Sequence, residues 1–101
     1  MDFTKRLRER VRTGAITCSV RIWLRPRVKP GNRYRLGDGT EIEVDSIEQI
    51  ELDDITLALA LASGFSSVPE LLATAQHGRG TDVYLVRFHC TNAEPTAIAP
   101  P

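Results

Sequence analysis

The stretch ITCSVRIW, residues 16–23, decides the fold, because its side chains follow a period of two. That alternation predicts a β-strand with two different faces. One face is apolar and carries Ile16, Cys18, Val20 and Ile22. The other face is partly polar and carries Thr17, Ser19, Arg21 and Trp23. Two hydroxyls and a cation on one side of a strand predict either a ligand-binding surface or a solvated face.

The segments around this strand predict three more strands and three helices. Phe3, Leu7 and Val11 recur every four residues, which predicts an N-terminal helix that ends at Gly14. The later elements are two strands over residues 33–36 and 41–52, two helices over 53–65 and 70–77, and a strand over 81–90. The second of these strands is expected to bend near residues 45–46, where its alternation breaks, and the last to be central, because it is apolar on both faces.

This order of elements favours an α+β fold in which a small mixed or antiparallel β-barrel carries helices packed at one side. A parallel doubly wound sheet would require strands that alternate with longer helices. We expect one domain over residues 1–91 and a flexible tail over residues 92–101, which are rich in proline and alanine.

Composition restricts the class of protein. The chain has 101 residues, 42% of them hydrophobic and 26% charged, as in an ordinary single globular domain. It has no apolar run near the length of a membrane span and no signal-like start, so we expect a cytoplasmic protein with no membrane partner. Cys18 and Cys90 form no CxxC pair, so we expect two buried, reduced thiols, no metal site and no cofactor. His77 and His89 have no readable triad partners and are interpreted as structural or surface residues.

Charge is divided unevenly along the chain. Residues 1–35 contain eleven cations and two anions, a net charge of +9, and the remaining residues carry −9. Nine of the eleven cations are arginine, which favours forked contacts to phosphate. The pattern predicts a polyanion partner on the basic side, unless the two regions neutralise each other across the fold.

Four stretches, taken in order, resemble the ASCH domains of the PUA-like superfamily. Gly14-x-x-Thr17-x-Ser19-x-Arg21 resembles the opening signature G-x-K-T-x-T/E-x-R of that family. VKPGNRYRL, LDDITLALALASGFSSVPEL and DVYLVRF resemble its turn into the second strand, its paired helices and its closing strand. The resemblance covers roughly residues 8–90. It implies a barrel of five or six strands beside helices, with Thr17, Ser19 and Arg21 lining a cleft between them, and an RNA-linked role.

One ASCH branch hydrolyses N(4)-acetylcytidine with a lysine, a threonine and a glutamate. The resemblance places Ile16 at the lysine position, Ser19 at the threonine position and Ser63 near the glutamate position. Isoleucine cannot activate a hydroxyl or take its proton, so the resemblance implies loss of this activity, with Ser19 the catalytic residue if any activity persists. Glu70 matches a different position and is expected to form a capping box with Ser67.

Three groups of residues are candidates for binding RNA or a modified nucleoside. The first is the strand face of Thr17, Ser19 and Arg21, whose guanidinium would otherwise pair with Glu41 or Glu43. The second group combines an aromatic ring with cations, a pattern suited to stacking the exposed bases of a single strand. Its members are Trp23, Arg25, Arg27 and Lys29. The alternative for Trp23 is that its ring packs in the core. The third is the basic side of the N-terminal helix, including Arg8 and Arg12.

These features favour an RNA- or nucleoside-binding module without amidohydrolase activity. One alternative is a hydrolase that acts on modified nucleosides or single-stranded RNA. A second alternative is a protein-interaction domain, which binds an acidic partner or a copy of itself. Whichever function holds, the sequence leaves the oligomeric state open between a monomer and a weak dimer.

Overall fold

The fold was analysed in a computed structural model, which describes residues 3–36, 39–76 and 80–91. Their strands form one antiparallel sheet in the order β1-β4-β3-β2, curled into a half-barrel. The strands are β1 (Cys18–Trp23), β2 (Arg33–Arg35), β3 (Glu41–Ile50) and β4 (Asp82–Cys90), and the helices are α1 (Lys5–Arg12), α2 (Leu57–Ala62) and α3 (Val68–Ala75). The general α+β class and the element order are confirmed, but the sheet is a half-barrel rather than a barrel, and the helices pack on both of its faces rather than at one side. The described residues give four strands, where the resemblance implied five or six, and the predicted tail lies outside them.

Strand β4 is central, as predicted from its apolar sequence. It pairs with β1 on one side and β3 on the other, and residues Val83–Val86 are all buried. Its two faces contribute to two separate cores. Tyr84, Val86 and Phe88 pack with α1 on one face, while Val83 and Leu85 pack with α2 and α3 on the other. The sheet therefore separates α1 from the paired helices except at its β1 edge.

The predicted bend in β3 is a β-bulge. The register with β4 shifts between Val44 and Ser46, so that Val44 opposes Phe88 while Ser46 opposes Arg87. The extra residue lets Val44 and Ile47, an odd number of positions apart, face the same core. The break in sequence alternation thus has a direct structural cause.

Helix α1 follows the predicted spacing, since Leu7 and Val11 are buried and Phe3 packs in the same core.

Helix α2 begins later than predicted. Thr56, not an aspartate, is its N-cap and accepts a hydrogen bond from the Leu59 N–H at 3.2 Å. The aspartates instead lie in a short 3-10 turn over Leu52–Asp54.

The N-terminus of α3 confirms the predicted serine cap. The Ser67 hydroxyl accepts from the Glu70 N–H at 3.2 Å. The carboxylate of Glu70 accepts from the Ser66 N–H at 2.8 Å. In an ideal capping box it would accept from the N–H of the N-cap residue, Ser67, so the observed bond is displaced by one residue. The bond from the Ser66 N–H is the main cause that lowers the pKa of Glu70, and the Ser66 hydroxyl and the charge of Arg6 add smaller contributions.

Among the described residues, no helix is both long and apolar enough to cross a membrane.

Candidate functional site

A pocket of about 290 Å³ opens where α1, the outer strand β1 and the paired helices meet. Strand β1 is the last strand of the sheet at this side, so its edge faces the helices. The lining residues are Phe3, Thr4, Leu7, Ser19, Val20, Arg21, Ser63, Phe65, Thr74 and Ala75. Most of the wall is apolar, and a few hydroxyls and one guanidinium supply its polarity. This composition is typical of a small-molecule site.

The polar part of the pocket is built from Ser19 and Arg21, two residues apart on β1. The Arg21 Nε–H donates a hydrogen bond to the Ser19 hydroxyl oxygen at 2.8 Å. The Arg21 guanidinium also lies over the ring of Phe3, with its central carbon 4.8 Å from the ring centroid. Each of Ser19 and Arg21 is only 7% exposed. The serine and the ring thus hold the guanidinium in one orientation at the pocket wall.

The two carboxylates proposed as alternative partners of Arg21 are engaged elsewhere. Glu43 accepts from Arg33 at 3.2 Å, and Glu41 lies 3.7 Å from the same guanidinium. In the sheet register, Arg21 opposes Tyr84, which opposes Gln49 on β3. Glu41 and Glu43 lie toward the other end of β3, so the sheet does not bring them in line with Arg21.

Ser63, at the C-terminal end of α2, reaches the pocket from the opposite side. Its hydroxyl lies 2.9 Å from the Leu59 carbonyl oxygen and 3.1 Å from that of Ala60, so it donates to the last turn of its own helix. It is 2% exposed. The next residue, Gly64, has φ +101 and terminates the helix.

The close approach of α2 to α1 depends on that glycine. A Cβ atom at Gly64 would lie 2.5 Å from Leu7 Cδ2 and 2.8 Å from Ile16 Cδ1. Gly64 therefore lets the end of α2, which carries Ser63, lie against Leu7 and Ile16. Ser19 and Ser63 line the pocket, whereas Ile16 is buried in the core beside it.

Thr17 and Trp23, the other residues of the predicted polar strand face, do not line the pocket. Thr17 precedes β1 and is exposed, while its carbonyl oxygen accepts from the Phe88 N–H at 3.0 Å. Trp23 is 4% exposed and packs on Tyr84, with ring centroids 5.9 Å apart. The assignment of Trp23 as a surface for base stacking is thus corrected, because its ring belongs to the core.

The cations predicted to bind a ligand differ in how exposed they are. Arg25, Arg27 and Lys29 are exposed in the loop that follows β1. Arg8 and Arg12 on α1 are half-buried, and an Arg8 Nη1–H donates to the Phe3 carbonyl oxygen at 3.4 Å. Phe3 itself lines the pocket, so α1 joins part of the basic surface to the pocket entrance.

Thiols and histidines lie outside the pocket in the described part of the chain. Cys18 is buried as predicted, whereas Cys90 is only half-buried, which corrects the expectation for that residue. Burial raises the pKa of the Cys18 thiol, and the charge of Arg87 offsets part of that shift. His89 is exposed, with its Nδ1 2.8 Å from an Asp45 carboxylate oxygen. His77 lies outside the described residues. Within residues 3–36, 39–76 and 80–91, no cluster of histidine, cysteine and carboxylate side chains could hold a metal ion.

Sequence reasoning missed the aromatic walls, Phe3 and Phe65, and the hydroxyls of Thr4 and Thr74. Phe3 was identified only as a core position of α1. Phe65 follows the helix-ending Gly64, and that position is the only sequence signal that could have placed it at the pocket.

Comparison of the chain with protein-family models, with curated proteins and with solved structures finds no match.

Proposed function

We propose that this domain binds a single nucleobase or nucleoside, free or unstacked from RNA, in the pocket beside β1. The observation that carries the proposal is the buried Ser19–Arg21 pair at the wall of a cavity of about 290 Å³. The resemblance to ASCH domains supports it, because two positions of that family's catalytic set, Ser19 and Ser63, lie at the same cavity.

The size and walls of the pocket suit one flat heterocycle. Ligand pockets span about 300–1,000 Å³, so this cavity is at the lower end of the range. The half-buried ring of Phe65 supplies aromatic surface, on which a base stacks in single-stranded recognition, while Phe3, whose ring is covered by the Arg21 guanidinium, adds apolar wall. A base-paired helix cannot enter such a cavity, which favours a free nucleoside or an unpaired nucleotide.

The polar groups give the ligand an orientation. The Ser19 hydroxyl accepts its hydrogen bond from Arg21 and keeps its own hydrogen to donate to a carbonyl or ring nitrogen. The positive guanidinium beside it favours a ligand edge that carries acceptors. Cations of α1, which borders the pocket, are suited to the phosphates of an attached RNA strand.

Binding is favoured over amide hydrolysis by the residues at the aligned catalytic positions. Ile16 is apolar, and Ser63 donates its hydroxyl hydrogen to helix carbonyls. Neither can act as the general base that would activate Ser19.

The test compares Ser19→Ala with Thr17→Ala, two hydroxyl deletions on one segment, of which only the first changes the pocket. Ribonucleosides and N(4)-acetylcytidine are titrated by NMR or calorimetry, and thermal melting confirms folding of both variants. Loss of one neutral hydrogen bond, about 0.5–1.5 kcal/mol, should weaken binding by roughly two- to twelvefold in Ser19→Ala. Thr17→Ala should bind as the wild type does.

Two results would contradict the proposal. The first is no binding of any nucleoside and, at low salt, none of short single-stranded RNA. The second is equal weakening by both substitutions. Turnover of the acetylated nucleoside that disappears in Ser19→Ala would replace the binding function with a hydrolase.

A further inference from the structure

Helix α2 is apolar on every side but is covered on only one. Its sequence is LALALA, with Ala60 buried and Leu59 half-buried against the core. Its outward side, which we call the α2 face, consists of Leu57, Ala58, Leu61 and Ala62, all exposed. Leu57 and Leu61 are 56% and 54% exposed and lie one turn apart. A helix without a polar side is normally covered, so the α2 face has the composition of a contact surface.

The two ends of the α2 face carry opposite charge. Before its N-terminal end lie three exposed carboxylates, the N-cap Glu51 of the 3-10 turn and Asp53 and Asp54 within it. Those of Glu51 and Asp54 also accept from backbone N–H groups of the turn, as a capping box. At its C-terminal end, the guanidinium of Arg10 reaches the helix terminus, with Nη1 3.8 Å from the position of a Cβ atom at Gly64. Anions thus flank one end of the apolar strip and a cation flanks the other.

We propose that the α2 face binds the α2 face of a second copy of this chain, antiparallel and about a two-fold axis. In a two-fold contact, each surface meets itself in the reverse direction. The acidic turn of one protomer then lies beside Arg10 of the other, while Leu57 of one packs near Leu61 of the other. The formal net charge of the chain is zero, so no overall repulsion opposes the approach. This inference does not depend on the proposed nucleoside site.

The contact is small, which determines how tight the dimer is. Six helical residues extend about 9 Å, and stable interfaces normally bury about 1,200–2,000 Å². We therefore expect a weak dimer, with a dissociation constant of about a micromolar or higher.

The first experiment measures sedimentation of the full chain at concentrations from about a micromolar to about a millimolar. The wild type should shift from monomer to dimer. Leu61→Glu places a charge at two symmetric positions of the contact and should weaken the dimer at least tenfold. Leu24→Glu is the matched control, since Leu24 is 62% exposed but lies outside α2, and it should dimerise as the wild type does. Circular dichroism confirms that all proteins are folded.

The second experiment tests the orientation by reversing charges. Arg10→Glu alone and Asp53→Arg alone should each weaken the dimer, whereas the double variant should regain most of the affinity. A wild type that remains monomeric throughout overturns the proposal and leaves the α2 face to a different protein. It is also overturned if Leu24→Glu abolishes the dimer while Leu61→Glu preserves it, or if the double variant is weaker than both single variants.

Discussion

Substitution of Gly64 by alanine tests how the pocket is assembled. The structure gives two separate costs. The first is conformational, because φ +101 is a backbone geometry that a residue with a Cβ atom adopts at a cost of roughly 1–2 kcal/mol. The second is steric, because the added Cβ atom would lie 2.5 Å from Leu7 Cδ2 and 2.8 Å from Ile16 Cδ1. Overpacking of this kind costs about 1–3 kcal/mol. Together they predict a loss of roughly 2–5 kcal/mol in the free energy of unfolding.

Gly31→Ala is the control that separates the two costs. Gly31 has φ +86, but a Cβ atom there meets nothing within 4 Å, so only the conformational cost applies. The assay is denaturant unfolding of both variants and the wild type, with midpoint and slope fitted together. The difference in free energy of unfolding between the two variants gives the steric cost of the contact between α2 and α1, expected to be about 1–3 kcal/mol. If Gly64→Ala is no less stable than Gly31→Ala, α2 does not approach α1 as described, and the pocket geometry is wrong.

Two further predictions concern the dependence of stability on pH. Because burial raises the pKa of Cys18 above 9.0 in the folded state, the unfolded chain loses this proton first, so stability should fall as pH rises from about 9 through the folded pKa. In denaturant unfolding, Cys18→Ala should lose less stability than the wild type over this range of pH. An identical decline of the free energy of unfolding with pH in both proteins would contradict the burial of the thiol. The pKa of Glu70 is lowered, first by the Ser66 N–H, so its stabilisation is present above the ordinary value of 4.5 and is lost as pH falls through the lower folded pKa. Glu70→Gln should therefore flatten the acid side of the stability profile, which thermal melts between neutral and acidic pH will measure, and an unchanged profile would refute the cap.

The sequence period predicted which side residues 18–23 face, but not how deeply each is buried. It was wrong for Ile16, which was expected beside Cys18, Val20 and Ile22 but packs in the other core because it precedes the strand. Ser19, Arg21 and Trp23 share the predicted side, and all three are buried in β1. Trp23 is in the core and Arg21 lines the pocket, because α1 covers that side unevenly. Which helix lies over which part of a strand is a tertiary property, and no local periodicity encodes it.

The pocket itself could not be predicted from motif spacing, because it joins residues that local pattern does not relate. Ser19 and Ser63 are more than forty positions apart in the chain. Both line the pocket, where α2 ends beside α1 at a residue with no side chain. The periodicity of either segment alone does not relate these positions. The aromatic wall formed by Phe65 follows from the same helix ending.

Helix α2 carries both proposals on different sides, which makes them separable. Its C-terminal end supplies Ser63 to the pocket and leads to Phe65, while its outward side presents Leu57 and Leu61. Neither of those leucines lines the pocket, and Ser19 lies on a strand away from the α2 face. A dimer that persists in Ser19→Ala, together with nucleoside binding that persists in Leu61→Glu, would establish two independent surfaces. Loss of both dimerisation and nucleoside binding in either variant would instead show that the two sites are coupled through a movement of α2. The packing of Gly64 against Leu7 does not favour such a movement.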